Sequence, residues 1–366
     1  MDRSLKISLV YAWTRRILVS LLSCLIFTLS NPLFSALPAD QYLKIETDMI
    51  SVFKSISPYV VNINANPTSS SVVRTGSNAS RYRGSGFLWN QKGYIVTNYH
   101  VIEKGRHFNV KFSKSNIVKA RLIGFDKRND IAVLRLVSTK TLPGNLKQQS
   151  IQLGQSSSLQ VGQLAIAIGN PYGLDKSMTT GVISALRRYI SQSGRWSDQG
   201  LIQTDASVNP GNSGGPLLDS RGRLIGMNTM IVSNTKSSSG IAFAIPVDTL
   251  RSAVTQIIRY GKVIRPSLGI VLLSDDVATS TTIPGVIIQA VRPGSPAQKA
   301  GLKGLTRRNG TLRLGDVVVG LDGYRINNAL EYHHVIEKKS VGSQIKVTFY
   351  RKGKVYAANL KLVADS

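Results

Sequence analysis

Residues 86–101 read Gly86-Phe87-Leu88-Trp89-Asn90-Gln91-Lys92-Gly93-Tyr94-Ile95-Val96-Thr97-Asn98-Tyr99-His100-Val101. Two short runs of aromatic and β-branched residues flank a polar turn closed by glycine, a pattern that predicts two strands and a tight connection. The pattern continues outward. Upstream, Tyr59-Val60-Val61-Asn62-Ile63 alternates like a strand. Downstream come His107–Phe112, Lys119–Ile123, Ile131–Val137, Leu164–Ile168, Gly181–Leu186, Leu201–Thr204, Leu224–Met230 and Gly240–Ile245. Many short strands at this spacing indicate a barrel or a sandwich. Two helices frame the region. Gln41–Ser57 places Ile45, Met49, Phe53 and Ile56 on one face and stops at Ser57-Pro58; Val247–Ile258 places Leu250, Val254 and Ile257 on one side.

The chain has 366 residues, 42% hydrophobic and 18% charged, which is globular and long enough for two domains. From Val263 the composition resets. Strands at Gly285–Val291, Asp316–Leu321, Gln344–Tyr350 and Val355–Leu362 surround helical stretches near Pro296–Ala300 and Asn328–Lys338. Residues 261–366 therefore read as a small α+β domain after a mainly β body at 40–260. Residues 66–81, rich in Ser, Asn, Thr and Arg, read as an exposed loop. The formal charge of +27 predicts weak, salt-sensitive attraction to anionic lipid or nucleic acid. No aromatics interleave a Lys/Arg run and no nucleic-acid motif occurs, so nucleic acid is not an expected partner.

Residues 1–39 read as a signal peptide or a membrane anchor. Arg3, Lys6, Arg15 and Arg16 precede the apolar run Ile17–Leu29, and the small residues Ser35 and Ala36 follow. That run is shorter than the ~20 residues a membrane-spanning helix needs. No site has small residues at both positions before a cut, so cleavage and retention both remain open; either way the body lies outside the cytoplasm. The only cysteine is Cys24, within the apolar run, so the rest of the chain can form no disulfide and no Cys-ligated metal site.

Chemistry concentrates at Asn209-Pro210-Gly211-Asn212-Ser213-Gly214-Gly215-Pro216. A serine among glycines, before a proline, suits a tight turn that exposes a hydroxyl beside bare backbone N–H groups. Serine hydrolysis also needs a base and a carboxylate to orient it. His100, one of four histidines, ends the strand Tyr94–Thr97, and Asp130 opens the strand Ile131-Ala132-Val133-Leu134. Singly, His100 has an ordinary reading as a core histidine. Arg128-Asn129-Asp130 likewise reads as plain turn chemistry. Together they stand in the order His, Asp, Ser, each at an element boundary in an all-β region.

These segments resemble the HtrA/Deg serine endopeptidases. The likeness rests on Thr97–Val101, Asn129–Leu134, Gly211–Pro216, Gly169-Asn170-Pro171-Tyr172-Gly173 and Gly240–Pro246, and runs from about residue 45 to the C-terminus. It implies a chymotrypsin-like double β-barrel over residues 40–260, with one PDZ domain over residues 261–366. It also implies Ser213 as nucleophile, His100 as general base and acid, Asp130 as orienting carboxylate, and the N–H groups of Gly211 and Ser213 as oxyanion hole. No metal or cofactor is implied. In the family Val208, Ile231 and Val232 would line the specificity pocket. Ser207 stands six residues before the nucleophile, where a pocket for Arg or Lys carries a carboxylate. The implied cleavage is therefore after small aliphatic residues, with Asp205, further upstream, as the nearest carboxylate that would change this. Residues 188–199 occupy the position of the family's sensor loop. Ser267-Leu268-Gly269-Ile270 matches the PDZ loop that holds a peptide's C-terminal carboxylate, the peptide adding to the sheet edge as a strand.

The resemblance further implies an ATP-independent protease degrading unfolded or misfolded proteins, assembled at least as a homotrimer. The bacterial periplasm is the expected compartment, with the thylakoid lumen as the alternative. Two other readings stand: a membrane-anchored regulatory protease switched on by peptides at the PDZ domain, and a chaperone-type protein that only holds clients. The basic insertion Lys303–Arg313 reads as a solvated face or as a contact for acidic peptides or an anionic membrane surface. His333 and His334, being adjacent, diverge and have no carboxylate spaced to complete a metal site; His107 reads as structural.

Overall fold

The computed structural model describes residues 42–66, 82–140, 142–171, 175–189, 200–209, 211–231, 240–273, 284–308 and 311–365. The readings made above for residues 1–39, for most of the loops at 66–81 and 188–199, and for Tyr172, Gly173, Pro210 and Val232 lie outside these residues. Helix α1 (Lys44–Ile56) ends in the single turn Ser57–Tyr59, which holds the expected stop at Pro58.

Six strands follow: β1 (Val60–Asn66), β2 (Tyr82–Leu88), β3 (Tyr94–Thr97), β4 (His107–Lys111), β5 (Ile117–Asp126) and β6 (Ile131–Leu136). They close a barrel in the order β1-β2-β3-β6-β5-β4, with β4 back on β1. A one-turn helix, α2 (Tyr99–Ile102), interrupts the chain after β3. A second barrel repeats the plan with β7 (Leu164–Gly169), β8 (Ser177–Arg188), β9 (Leu201–Thr204), β10 (Pro216–Leu218), β11 (Leu224–Ile231) and β12 (Ala242–Pro246), in the order β10-β11-β12-β9-β8-β7. The barrels fill with the apolar residues that marked the strands: Val60, Ile63, Phe87, Ile95 and Leu134 in the first, and Ile166, Ile183 and Ile202 in the second, are essentially inaccessible. β2 begins at Tyr82 rather than Gly86, because pairing with β1 draws Tyr82–Ser85 into the sheet despite the low strand propensity of Ser and Gly. β10 has only three residues, too few for periodicity to be visible.

Helix α3 (Val247–Tyr260) packs on β5 and β6 of the first barrel and on β11 of the second, and so ties the two together. Leu250, Val254 and Ile257 are fully buried in the shared core; truncating any of them to Ala costs about 2–5 kcal/mol. Gly261 ends the helix at φ 75°, its N–H donating to Ile257 O.

The C-terminal region is a separate core. Strands β13 (Pro266–Ser267), β14 (Ile270–Leu272), β15 (Val286–Val291), β16 (Thr306–Arg308), β17 (Thr311–Arg313), β18 (Val317–Leu321), β19 (Tyr324–Arg325), β20 (Gln344–Arg351), β21 (Lys354–Lys361) and β22 (Val363–Ala364) alternate with helices α4 (Pro296–Lys299) and α5 (Ala329–Glu337). The main sheet runs β14-β15-β18-β20-β21 with β19 on β18; β13 pairs β22, and β16 pairs β17 as an isolated hairpin. Asn328 caps α5 by accepting the Glu331 N–H, while Glu331 reaches back to the N–H of Asn327. The architecture is mainly β: two six-stranded barrels of chymotrypsin-like plan, followed by a PDZ domain.

Candidate active site

Asp130 is where the first barrel makes its site. It sits at the mouth of β6 with φ 55°, a left-handed conformation that Asp tolerates better than most residues, and its side chain is buried. Its carboxylate is gripped from three directions. Oδ2 lies 2.7 Å from His100 Nδ1 and accepts the Thr229 hydroxyl at 2.9 Å; Oδ1 accepts the His100 backbone N–H at 2.9 Å. The Asp130 carbonyl accepts the N–H of Tyr99 at 3.1 Å and Asn98 Nδ2 at 3.1 Å. An ionised carboxylate only accepts hydrogen bonds, so Nδ1 carries the imidazole proton and Nε2 is left with its lone pair. His100 lies on α2 rather than at the end of β3 as the sequence suggests: the chain turns immediately after Thr97, and the Tyr99 N–H to Asp130 carbonyl bond holds that turn on β6. The histidine side chain is about one-third exposed, open to an incoming group.

Ser213 belongs to the second barrel and is held against the first. Its carbonyl accepts the Ser85 N–H at 2.9 Å, so β2 fixes the loop that carries Ser213. Behind it, Gly215 N–H donates to Asn212 O, Asn212 N–H to Asn209 O, and Gly214 N–H to Asn228 O. Gly214 has φ 86°, and a Cβ there would run into Ser85 O and the Thr97 hydroxyl. Gly84 is wedged between the two halves of the site: a Cβ on it would press on Val101, beside His100, and on Ser213 O. Gly211 has φ 103°, and its carbonyl accepts the Ser85 hydroxyl at 2.6 Å, the same hydroxyl that accepts the Asn170 N–H at 2.8 Å. Among the described residues neither the Gly211 N–H nor the Ser213 N–H makes a hydrogen bond, and none joins Ser213 to His100.

Val208 is buried in the second barrel with Ala206, Ile183 and Leu217. Ile231 closes β11, and Val232 lies outside the described residues. Asp205 is turned to the backbone, its Oδ1 accepting the Val182 N–H at 2.6 Å. In the C-terminal domain the Ser267–Ile270 loop leads into β14, the edge strand of the sheet; Leu268 is buried, and Gly269 at φ 73° donates its N–H to the Ser267 hydroxyl. His333 is packed edge-on against Tyr332. Its burial and the nearby Arg128 and Arg265 push its pKa from 6.5 down to about 3. The described residues contain no His, Cys, Asp and Glu group able to hold a metal ion.

Three partners were not legible in the sequence. Thr229, in Met227-Asn228-Thr229, is an ordinary strand residue until β11 brings it to Asp130. Ser85 is one of several serines. The third is a link from the C-terminal domain to the turn before Asp130. Buried Asp126 accepts the N–H groups of Arg128 and Asn129 and pairs with Arg265 at 2.6 Å. Glu337, at the end of α5, pairs with Arg128 at 2.6 Å and with Arg265 at 3.3 Å.

Residues 84–227 match the trypsin-like peptidase domain family, and residues 266–362 match the PDZ domain family. The chain is 40% identical over 345 residues to "Protease Do-like 1, chloroplastic" of Arabidopsis thaliana, covering 90% of this chain and 77% of that one. It is 36% identical to "Periplasmic serine endoprotease DegP" of Salmonella typhimurium over 77% of this chain, and spans 57% of that longer protein. Among solved structures, "HtrA-type protease AlgW with decapeptide" superimposes with a TM-score of 0.65 at 28% identity, covering 87% of this chain and 98% of that chain. The relatives are named as periplasmic or chloroplastic. Among the described residues no helix is long and apolar enough to cross a membrane.

Proposed function

The chain belongs to the HtrA/Deg family of serine endopeptidases, and from that premise we propose that Ser213, His100 and Asp130 are its catalytic residues. The observation that carries the assignment is the grip of Asp130 on both the Nδ1 and the backbone N–H of His100, which leaves Nε2 facing outward as a base. In the reaction Nε2 takes the Ser213 hydroxyl proton as Oγ attacks the peptide carbonyl. The oxyanion is received by the N–H groups of Gly211 and Ser213, donors that no described residue occupies. The imidazolium then gives its proton to the departing amine, and water hydrolyses the acyl-enzyme by the reverse sequence. Ser213→Ala lowers kcat by about 10⁵–10⁶ with the fold intact. Casein cleavage by that variant at the wild-type rate would sink the assignment.

The clients proposed are unfolded proteins cut after small aliphatic residues, since Val208 is apolar and Asp205 is occupied by the backbone of β8. A peptide-library digest with cuts mainly after Arg or Lys would refute this. The domain division at about residue 260, a homotrimer or larger assembly, and an exported location in periplasm or thylakoid lumen belong to the same proposal. A second reading, a protease regulated through its PDZ domain, is favoured by the ion pairs from Arg265 and Glu337 to the turn that carries Asp130. Peptide acceleration of wild-type cleavage that the Glu337→Gln variant loses would distinguish it from constitutive clearance.

A further inference from the structure

Strands β16 and β17 form a hairpin that belongs to no larger sheet, pairing Thr306 with Arg313 and Arg307 with Leu312. Thr306, Thr311, Leu312 and Arg313 are all exposed, so among the described residues these positions of the hairpin are left open to solvent. Leu312 is 63% exposed, and Leu314, two residues on, is 45% exposed. A two-stranded hairpin without a packed face is marginal in water and needs support from its base or from a partner.

The base is firmly built. Buried Asp316 accepts the Lys303 N–H at 2.7 Å and returns its own N–H to the Lys303 carbonyl at 2.8 Å. Its carboxylate is also paired with Arg351 at 2.6 Å. Leu305 N–H donates to the carbonyls of Ile288 and Gln289. Gly304 and Gly315 bring these backbones together; a Cβ on Gly304 would lie 2.7 Å from Gln289 O. The hairpin is thus a stiff projection. Its charge is one-sided: from Lys299 to Leu314 the sequence carries Lys299, Lys303, Arg307, Arg308 and Arg313 and no acid.

We propose that this hairpin docks the PDZ domain on an anionic phospholipid surface, with Leu312 and Leu314 entering the headgroup boundary and the surrounding cations meeting lipid phosphates. Exposed leucines among arginines suit that interface, where apolar burial and electrostatic attraction act together. The one-sided charge names the partner's sign. On the exported location proposed above, the chain meets such a surface at its point of delivery.

The test places an environment-sensitive fluorophore on Leu312→Cys in the full chain, with Cys24→Ser to leave one thiol. Phosphatidylcholine vesicles containing phosphatidylglycerol should shift its emission to the blue, pure phosphatidylcholine should not, and added salt should reverse the shift. A basic residue near an anionic surface is worth about a factor of five in binding. Lys303→Gln with Arg313→Gln should therefore raise the lipid concentration for half-maximal shift about 25-fold, with casein cleavage unchanged as a check on folding. The same label on Val355→Cys, exposed on β21, should report no shift. Absence of any shift with anionic vesicles overturns the proposal, as does an equal shift at Val355. A shift that grows with protein concentration without lipid would show that a second copy covers the hairpin. A shift with polyglutamate but not with vesicles would assign it to acidic polypeptides. Either result overturns the membrane assignment.

Discussion

Asp130→Asn is the substitution whose outcome follows most directly from the geometry. Asparagine tolerates the left-handed backbone at this position, so the fold should survive. The new amide has one acceptor and one donor end, and the structure decides which goes where. The Oδ1 position faces the His100 backbone N–H, a donor that cannot reverse, so the amide oxygen must sit there. The NH₂ group then takes the Oδ2 position, 2.7 Å from His100 Nδ1, and donates to it. That moves the imidazole proton to Nε2, the wrong nitrogen to receive one from Ser213, while the Thr229 hydroxyl turns from donor to acceptor. Serine proteases with this tautomer forced on them lose about 10⁴ in kcat, about 5.5 kcal/mol of transition-state stabilisation. The assay is steady-state cleavage of casein or a fluorogenic peptide, alongside the rate of fluorophosphonate labelling of Ser213, with thermal melting to confirm folding. An Asn variant that melts like the wild type and retains cleavage within tenfold would refute the claim that Asp130 sets the His100 tautomer.

Further outcomes follow from neighbouring contacts. Thr229→Val removes a donor to the carboxylate and should lower kcat about tenfold and stability by about 1–2 kcal/mol, with recovery in Thr229→Ser; identical losses in both would mean that the methyl, not the hydroxyl, matters. Gly214→Ala should abolish Ser213 labelling and lower stability by about 2 kcal/mol or more, because a side chain at φ 86° meets both strain and Ser85 O; thermal melting and probe labelling check it. His333 gives a pH prediction. Its folded pKa is lowered, to about 3 from 6.5, so its stabilising contribution is complete above the unfolded value and is lost as pH falls through that window. His333→Gln should therefore lose about 2 kcal/mol less than wild type on acidification from about pH 7 to about pH 4.5, and identical denaturation curves across that range would contradict it. Asp126→Asn should both destabilise the protein, by about 3 kcal/mol on leaving Arg265 underpaired, and slow cleavage; a destabilised variant with undiminished kcat would separate the turn from catalysis.

The strands were legible because both barrels are built from β-branched runs broken by glycine, and packing enforces what propensity suggests. Two of the three residues proposed as the triad stand out because they sit in turns whose composition is itself unusual: Asn129-Asp130 before an apolar strand, and Ser213 in Gly211-Asn212-Ser213-Gly214. The supporting residues do not. Thr229 carries no local signature, since a threonine in a strand is ordinary and its importance comes from the hydrogen bond by which β11 reaches Asp130. The placement of His100 differed for a related reason: Tyr99–Ile102 is too short and too β-branched to be read as a helix, and only the Asp130 carbonyl makes it turn. Arg265 and Glu337 are separated from Asp126 and Arg128 by 139 and 209 positions, distances at which sequence pattern carries no information on contact.

The turn from Asp126 to Asp130 joins these two kinds of residue. Its first carboxylate is held by Arg265 on the approach to the PDZ domain, and its last holds His100, the proposed general base. Between them the backbone is fixed by Asp126 accepting two N–H groups and by the left-handed Asp130, so little slack is available to absorb a shift. The Asp130 carbonyl, holding Tyr99 and Asn98, would carry the same shift to the segment bearing His100. Hydrogen-bond geometry weakens steeply with angle, so a displacement of a fraction of an ångström at Asp126 is enough to misalign Nδ1 and the carboxylate. If Arg265 and Glu337 hold this turn in place, Glu337→Gln and Asp126→Asn should depress kcat together and non-additively in a double-mutant cycle. If they merely dock the domain, the two effects should add.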